Sequence, residues 1–275
     1  MNDRLHETER DRDADQCACD TGPSIGGRIG DHFDSRVKRA GPGAGSSLHK
    51  TSLALLGLMG DPTERTILEI GCGRGGLLLE LLRSGAASAS GLDLSRASVD
   101  QARARFATVG LADCVTLQVG DGAKVPLEPH DWVVLDRAIC CYPDADGLVA
   151  NSIPAARKLF AFSVPNSRGW RGLAARIGRQ LDNGWNGLCG RSCKTFVHDL
   201  DRLDRTLTAA GFSLRGQGTR GLWYVAVYER RAGRATRRPD TTGNPSAAQA
   251  SKPPTISVAR VKPRSCSVAA AMLDE

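Results

Sequence analysis

Hydrophobic residues recur along the middle of the chain in short blocks that switch between the strand period and the helix period. Thr66-Ile67-Leu68-Glu69-Ile70 is a brief apolar run of the length and β-branched character of a buried strand. A glycine-rich turn follows it, and Leu77–Leu82 then has helical spacing. Ala87–Leu92 is a second, weaker strand, after which Ser95 can cap a helix over 96–107. Val115–Val119, Trp132–Leu135 and Leu159–Val164 read as further strands, with a helix expected over Leu148–Lys158 despite Pro154. Upstream, Leu48, Leu55, Leu56 and Met59 mark a helix that Asp61-Pro62 stops. Downstream, a helix over Leu200–Ala210 ends at Gly211, and Phe212–Leu214 and Trp223–Tyr228 are the last two strands. Strands alternating with helices imply a doubly wound, Rossmann-like α/β fold. The final strands lack a crossover helix and should pair antiparallel, giving a mostly parallel seven-stranded sheet with an antiparallel last strand.

The flanks have a different character. Residues 1–30 are acidic and 231–275 are basic, rich in Pro, Ser, Thr and Ala, and both read as disordered tails around a domain at 31–230. The chain carries a net charge of +7, and residues 157–194 hold eight basic side chains against one acid, Asp182. No stretch is long and apolar enough to span a membrane, and the N-terminus does not resemble a secretory signal. The nine cysteines are scattered and odd in number, which argues against a disulfide framework and for a reducing cytoplasm. Neither Cys17-Ala-Cys19 nor the pair Cys189 and Cys193 has a partner pair at zinc spacing, so no metal is expected.

The candidate chemistry lies in Glu69-Ile70-Gly71-Cys72-Gly73-Arg74-Gly75-Gly76, where a strand runs through glycines into a helix. Glycines there allow tight backbone angles and close approach of a ligand. Asp93 ends the next strand, where a carboxylate can accept from both hydroxyls of a ribose. A dinucleotide and S-adenosylmethionine both match this much. A pyrophosphate sits on a helix N-terminus and is repelled by a carboxylate inside the turn. S-adenosylmethionine has no phosphate and brings a sulfonium and an α-ammonium, which Glu69 favours.

Leu68-Glu69-Ile70-Gly71-Cys72-Gly73-Arg74-Gly75 resembles the first motif of class I S-adenosylmethionine-dependent methyltransferases. The resemblance covers about 60–230 and continues in order. It implies backbone contacts from Gly71, Cys72 and Gly73 to the amino-acid half of the cofactor. Gly91-Leu92-Asp93-Leu94-Ser95 is similar to the second motif, which implies Asp93 on the ribose and Leu94 beside the adenine. Gly120-Asp121-Gly122-Ala123 is similar to the adenine-binding segment, with Asp121 accepting from the adenine amino group. Asp131–Asp136 is similar to the fourth strand, whose end, Asp136, faces the methyl group. The layout after the fifth strand is loosely similar to magnesium-protoporphyrin IX O-methyltransferases.

All of these positions should collect at the C-terminal edge of the sheet, where ligands of open α/β sheets bind. Residues 166–185 are a candidate lid: Trp170, Leu173, Ile177 and Leu181 form an apolar stripe flanked by Arg168, Arg171, Arg176 and Arg179, suited to an anionic apolar substrate. His198, Tyr142 and Asp136 are the candidate catalytic residues, His198 as a base or as a structural histidine. Arg137 could pair with an acid of the domain, and Cys140-Cys141 could line the pocket as small hydrophobes. The expected activity is methyl transfer to a small molecule, with no nucleic-acid or membrane partner. An RNA methyltransferase using the basic segment, a non-catalytic partner protein of the same fold and an NAD(P) dehydrogenase are the alternatives. Aromatic residues make up 5% of the chain, which leaves few platforms for stacking RNA bases.

Overall fold

The computed structural model describes residues 25–40, 48–169 and 195–231, with isolated positions between 172 and 181. Most of both tails, Trp170, Arg171, Arg176, Arg179 and the cysteines at 17, 19, 189, 193 and 266 lie outside the described residues, and with them the tail and zinc readings. No described helix is long and apolar enough to cross a membrane.

Seven strands form one sheet in the order β3-β2-β1-β4-β5-β7-β6. They are β1 (Thr66–Ile70), β2 (Ser88–Asp93), β3 (Val115–Val119), β4 (His130–Asp136), β5 (Ala156–Pro165), β6 (Phe212–Arg220) and β7 (Trp223–Arg230). The first five run parallel, and β7 lies antiparallel between β5 and β6. The order reverses between β1 and β4, which makes their C-terminal ends the switch point of the sheet.

The period-two alternation along each strand supplies two cores. Leu68, Ile70, Val133, Leu135, Phe160 and Phe162 face one side, under α5 (Ala145–Ser152) and α6 (Leu200–Ala209). Ile67, Trp132, Val134 and Ala161 face the other, under α2 (Lys50–Met59), α3 (Gly76–Arg83) and α4 (Arg96–Thr108). By the same alternation, Glu69 shares its face with Ile67, and Asp136 shares its face with Trp132 and Val134. Both carboxylates are thereby aimed at α2 and α3.

Four features depart from the sequence reading. The segment Leu148–Lys158 is not one helix: α5 stops at Ser152, Ile153–Ala155 is a single 3-10 turn with Pro154 inside it, and β5 begins at Ala156. Proline cannot donate to a helix ladder, and the strand begins as soon as the chain clears it. β6 extends to Arg220 rather than Leu214, because register against β7 carries its polar half. A helix, α1 (Ile25–Ala40), begins inside the stretch assigned to the N-terminal tail. Ile29, Phe33 and Val37 repeat every fourth residue on it, and Ile29 and Val37 are buried. Cys114, at the foot of β3, is disulfide-bonded, whereas the scattered cysteines argue for a reducing cytoplasm.

Candidate active site

A cavity of about 550 Å³ opens at the C-terminal ends of β1, β2 and β4. Its walls come from the glycine turn, the ends of the strands, α1, the start of α2 and the loop after β4.

The glycine turn is held by its own backbone. Gly71 and Cys72 donate their N–H groups to the carbonyl of Leu92 at 2.7 and 3.1 Å, and Gly75 donates to the carbonyl of Cys72. Gly71 has φ +78°, and a Cβ built on it would stand 2.6 Å from Ala138 Cβ, so only glycine fits. Gly73 has φ +53° and open space where its Cβ would be. Its N–H donates to Asp93 Oδ2 at 2.7 Å, while Ser95 N–H donates to Oδ1 at 2.8 Å. Asp93 therefore ties the turn to the start of α4 through both oxygens and keeps further lone pairs on each. Burial raises its pKa against these hydrogen bonds.

Glu69 is 4% exposed. It accepts a backbone hydrogen bond from Leu78 in the first turn of α3, and its Oε2 is buried with no partner among the described residues. Burial, followed by the charges of Asp136 and Asp93, pushes its pKa well above the usual carboxylate range. This arrangement discriminates between ligand classes. The amides of Gly71, Cys72 and Gly73 are spent on Leu92 and Asp93, and a carboxylate occupies the helix N-terminus where a phosphate would sit. An orphaned buried carboxylate oxygen instead asks for a cationic donor. The donor set thus fits a cationic, phosphate-free nucleoside.

Asp136 receives Ser52 Oγ on Oδ2 and Ser163 Oγ on Oδ1, each at 2.5 Å. Register explains the second contact, since Asp136 and Ser163 are paired across β4 and β5. Arg137 follows with φ +59°, an uncommon angle for a side-chain-bearing residue, held by its N–H on Ser163 Oγ at 2.9 Å. That turn swings the guanidinium over Trp223, 5.0 Å from the ring centroid, on the cavity wall. Among the described residues no carboxylate forms an ion pair with it.

Asp121 accepts Tyr142 Oη on Oδ2 at 2.9 Å and Ala123 N–H on Oδ1 at 3.1 Å. α1 closes this end of the cavity. A Cβ on Gly30 would stand 2.6 Å from the Leu94 carbonyl, and Asp34 accepts Ser95 Oγ and Ala97 N–H.

Of the residues singled out from sequence, Glu69, Gly71, Cys72, Gly73, Asp93, Leu94, Asp121, Gly122, Asp136 and Tyr142 all line the cavity. Ala123 does not; it packs against the core beside Asp121. His198 also lies outside. Its Nε2 is 3.1 Å from the carbonyls of Ile139 and Tyr142, so it pins the loop after β4, and burial lowers its pKa. Tyr142 donates to Asp121, and burial and that hydrogen bond push its pKa up to about 12. Arg168 pairs with Asp201 at 2.6 Å, while Leu173, Ile177 and Leu181 of the candidate lid stripe are exposed. Residues that sequence reasoning passed over are His49, Ser52 and Trp223; His49 falls inside the helix read from Leu48 to Met59, which starts at Lys50 with His49 as its cap, and nothing local shows what its N-terminus faces.

A family model described as a methyltransferase domain matches residues 67–153. The fold is similar to magnesium protoporphyrin IX methyltransferase from Synechocystis PCC 6803 with bound S-adenosylhomocysteine, at 18% identity and TM-score 0.60, over 76% of this chain and 100% of that one. It is similar to geranyl diphosphate C-methyltransferase from Streptomyces coelicolor A3(2), solved with Mg2+, geranyl diphosphate and S-adenosylhomocysteine, at 14% identity and TM-score 0.56, over 78% and 100% of the two chains. A third likeness is an S-adenosylmethionine-dependent methyltransferase from Mesorhizobium loti, at 18% identity and TM-score 0.51, over 65% and 96%. No curated protein matches the sequence.

Proposed function

We propose that this chain, a class I S-adenosylmethionine-dependent methyltransferase, transfers its methyl group to a small molecule that carries an anionic group and docks it on Arg137. The observation that carries the acceptor reading is Arg137 itself: a cation on the cavity wall, turned there by a left-handed backbone, stacked on Trp223 and paired with no described carboxylate. A guanidinium over an aromatic face presents its donor edges to a carboxylate or phosphate. The similar Streptomyces coelicolor enzyme was solved with geranyl diphosphate, a small anionic molecule, and this agrees with that chemistry.

Glu69 would receive the α-ammonium, Asp93 the ribose hydroxyls, and Leu94, Asp121 and Gly122 the adenine. The bound cofactor supplies an electrophilic methyl on a cationic sulfur. Methyl transfer needs no covalent enzyme intermediate, so the protein's task is to orient the two reactants and exclude water. Ser52 and Ser163 fix Asp136 from two sides. α1 covers the nucleoside end of the cavity, and Arg137 fixes the acceptor at the switch point.

The test is calorimetric binding of benzoate and of benzamide to protein saturated with S-adenosylhomocysteine. The carboxylate should bind at least about tenfold tighter, as a charge-assisted pair requires, and Arg137→Gln should abolish the difference. Equal binding of the acid and the amide would contradict the reading.

A further inference from the structure

We propose that His49 is the proton acceptor for the incoming substrate, working beside the Arg137 that holds the substrate's anionic group. The second half rests on the anion reading of Arg137 above.

The placement follows from α2. His49 is its N-cap residue, with extended backbone at φ −69° and ψ 154°, and lines the cavity. Ser52, three residues on, donates to Asp136 Oδ2. Residues three apart share a helix face and stand about 4.5 Å apart along the axis. The bond from Ser52 thus holds the helix N-terminus, and His49 with it, at the end of β4. The strand order puts that end beside Glu69 and Gly71 at the switch point. Acceptor and methyl donor must meet there.

The competing bases are engaged elsewhere. Among the described histidines His49 alone lines the cavity. His198 is committed to two carbonyls, and His130 bridges the Glu128 carbonyl and Ser90 Oγ at the far end of β4. Tyr142 donates to Asp121, and the thiols of Cys140 and Cys141 donate to the Arg137 carbonyl. No described group hydrogen-bonds the His49 ring, so a lone pair remains for an acceptor proton.

The charges facing His49 are Arg137 and Asp136. Burial and then Arg137 hold its pKa below the ordinary histidine value, and Asp136 opposes them. The ring is therefore neutral at pH 7 and able to accept. An anion on Arg137 offsets one of the two lowering influences and leaves Asp136 to favour the imidazolium. In the transfer, the acceptor oxygen or nitrogen forms the bond to carbon and its proton passes to the imidazole. The electron pair of the broken carbon–sulfur bond stays on sulfur, which becomes a neutral thioether.

The probe is 4-hydroxy-3-nitrobenzoate, a carboxylate whose phenol colours on ionisation. It is titrated into protein saturated with S-adenosylhomocysteine, at a pH below the free phenol's own pKa. If His49 takes the proton, the bound probe is ionised in the wild type. In His49→Gln the ratio of ionised to neutral phenol falls by about tenfold or more, one pH unit of apparent pKa, while the affinity for the carboxylate stays within a few-fold. An equally ionised probe in His49→Gln overturns the proposal, and Cys141→Ala run alongside shows whether the neighbouring thiol is responsible instead. If the wild type does not bind the probe, the anion reading of Arg137 fails on its own. The role of His49 is then decided by NMR titration of the histidine in Arg137→Gln. An upward shift of its pKa against wild type supports the coupling, and an unmoved titration overturns it.

Discussion

Replacing Glu69 by Gln changes one proton-bearing oxygen for an amide and separates the cofactor claim from its rivals. In the free protein the side chain is buried, one oxygen is tied to the Leu78 backbone and Oε2 has no partner among the described residues. Glutamine can keep the Leu78 contact with its carbonyl oxygen, so the turn should stay folded. Its NH2 then points where an ammonium would donate, and the charged hydrogen bond is lost. Such a bond contributes about 1.5–3 kcal/mol, equivalent to a loss of about 10- to 150-fold in affinity. The pH dependence sharpens the test. The folded-state pKa of Glu69 lies well above its ordinary value of 4.5. Between those two values the unfolded chain releases a proton that the folded chain keeps, so stability falls as pH rises through that window. A cation at Oε2 expels the proton, so wild-type affinity for S-adenosylmethionine should rise with pH while Glu69→Gln stays flat. The variant should also lose less thermal stability between pH 5 and pH 8. Isothermal calorimetry in two buffers of different ionisation enthalpy measures both affinity and proton release. Unchanged affinity and an unchanged pH slope in the variant would refute the reasoning.

Three further outcomes follow. Asp93→Ala removes the acceptor of the Gly73 and Ser95 amides as well as the ribose contact; it should weaken S-adenosylhomocysteine binding by about 1–3 kcal/mol and lower the melting temperature in the same samples. Tyr142→Phe deletes one hydrogen bond while Asp121 keeps the Ala123 N–H; stability should drop by about 0.5–1.5 kcal/mol, and bound 4-hydroxy-3-nitrobenzoate should ionise as in the wild type, whereas a loss of ionisation would restore Tyr142 to the catalytic set. Burial lowers the pKa of His198 from 6.5, so the unfolded chain binds its proton first and stability is lost as pH falls below that value; His198→Gln should flatten thermal unfolding across pH 5–7, and an unaltered slope would count against a buried neutral histidine.

Much of the site was readable because strands carry their own parity. Glu69 sits two positions from Ile67, and Asp136 two and four from Val134 and Trp132, so the sheet face of each carboxylate follows once the strand is recognised. The glycine turn is legible for a similar reason: a positive φ at Gly71 and Gly73 leaves few alternatives. α1 was harder to see. Its stripe of Ile29, Phe33 and Val37 is interrupted by charges and by glycines that look like disorder, yet Gly30 is what lets the helix close on the Leu94 carbonyl. The length of β6 came from pairing with β7, which a local pattern of polar residues and glycines does not display. The two histidines show the limit most clearly. His198 and His49 both stand just before a helix, and only the packing of each helix decides which ring meets the cavity.

The central claim is that a carboxylate-lined glycine turn whose Gly71, Cys72 and Gly73 amides are already spent selects a cationic nucleoside over a phosphate. Direct calorimetric titration of the wild-type protein with S-adenosylhomocysteine and, separately, with NADH tests it. The account predicts saturable one-to-one binding of the first, with proton release below the raised pKa of Glu69, and no heat from the second. Uptake of NADH by a protein that leaves S-adenosylhomocysteine in solution would contradict it.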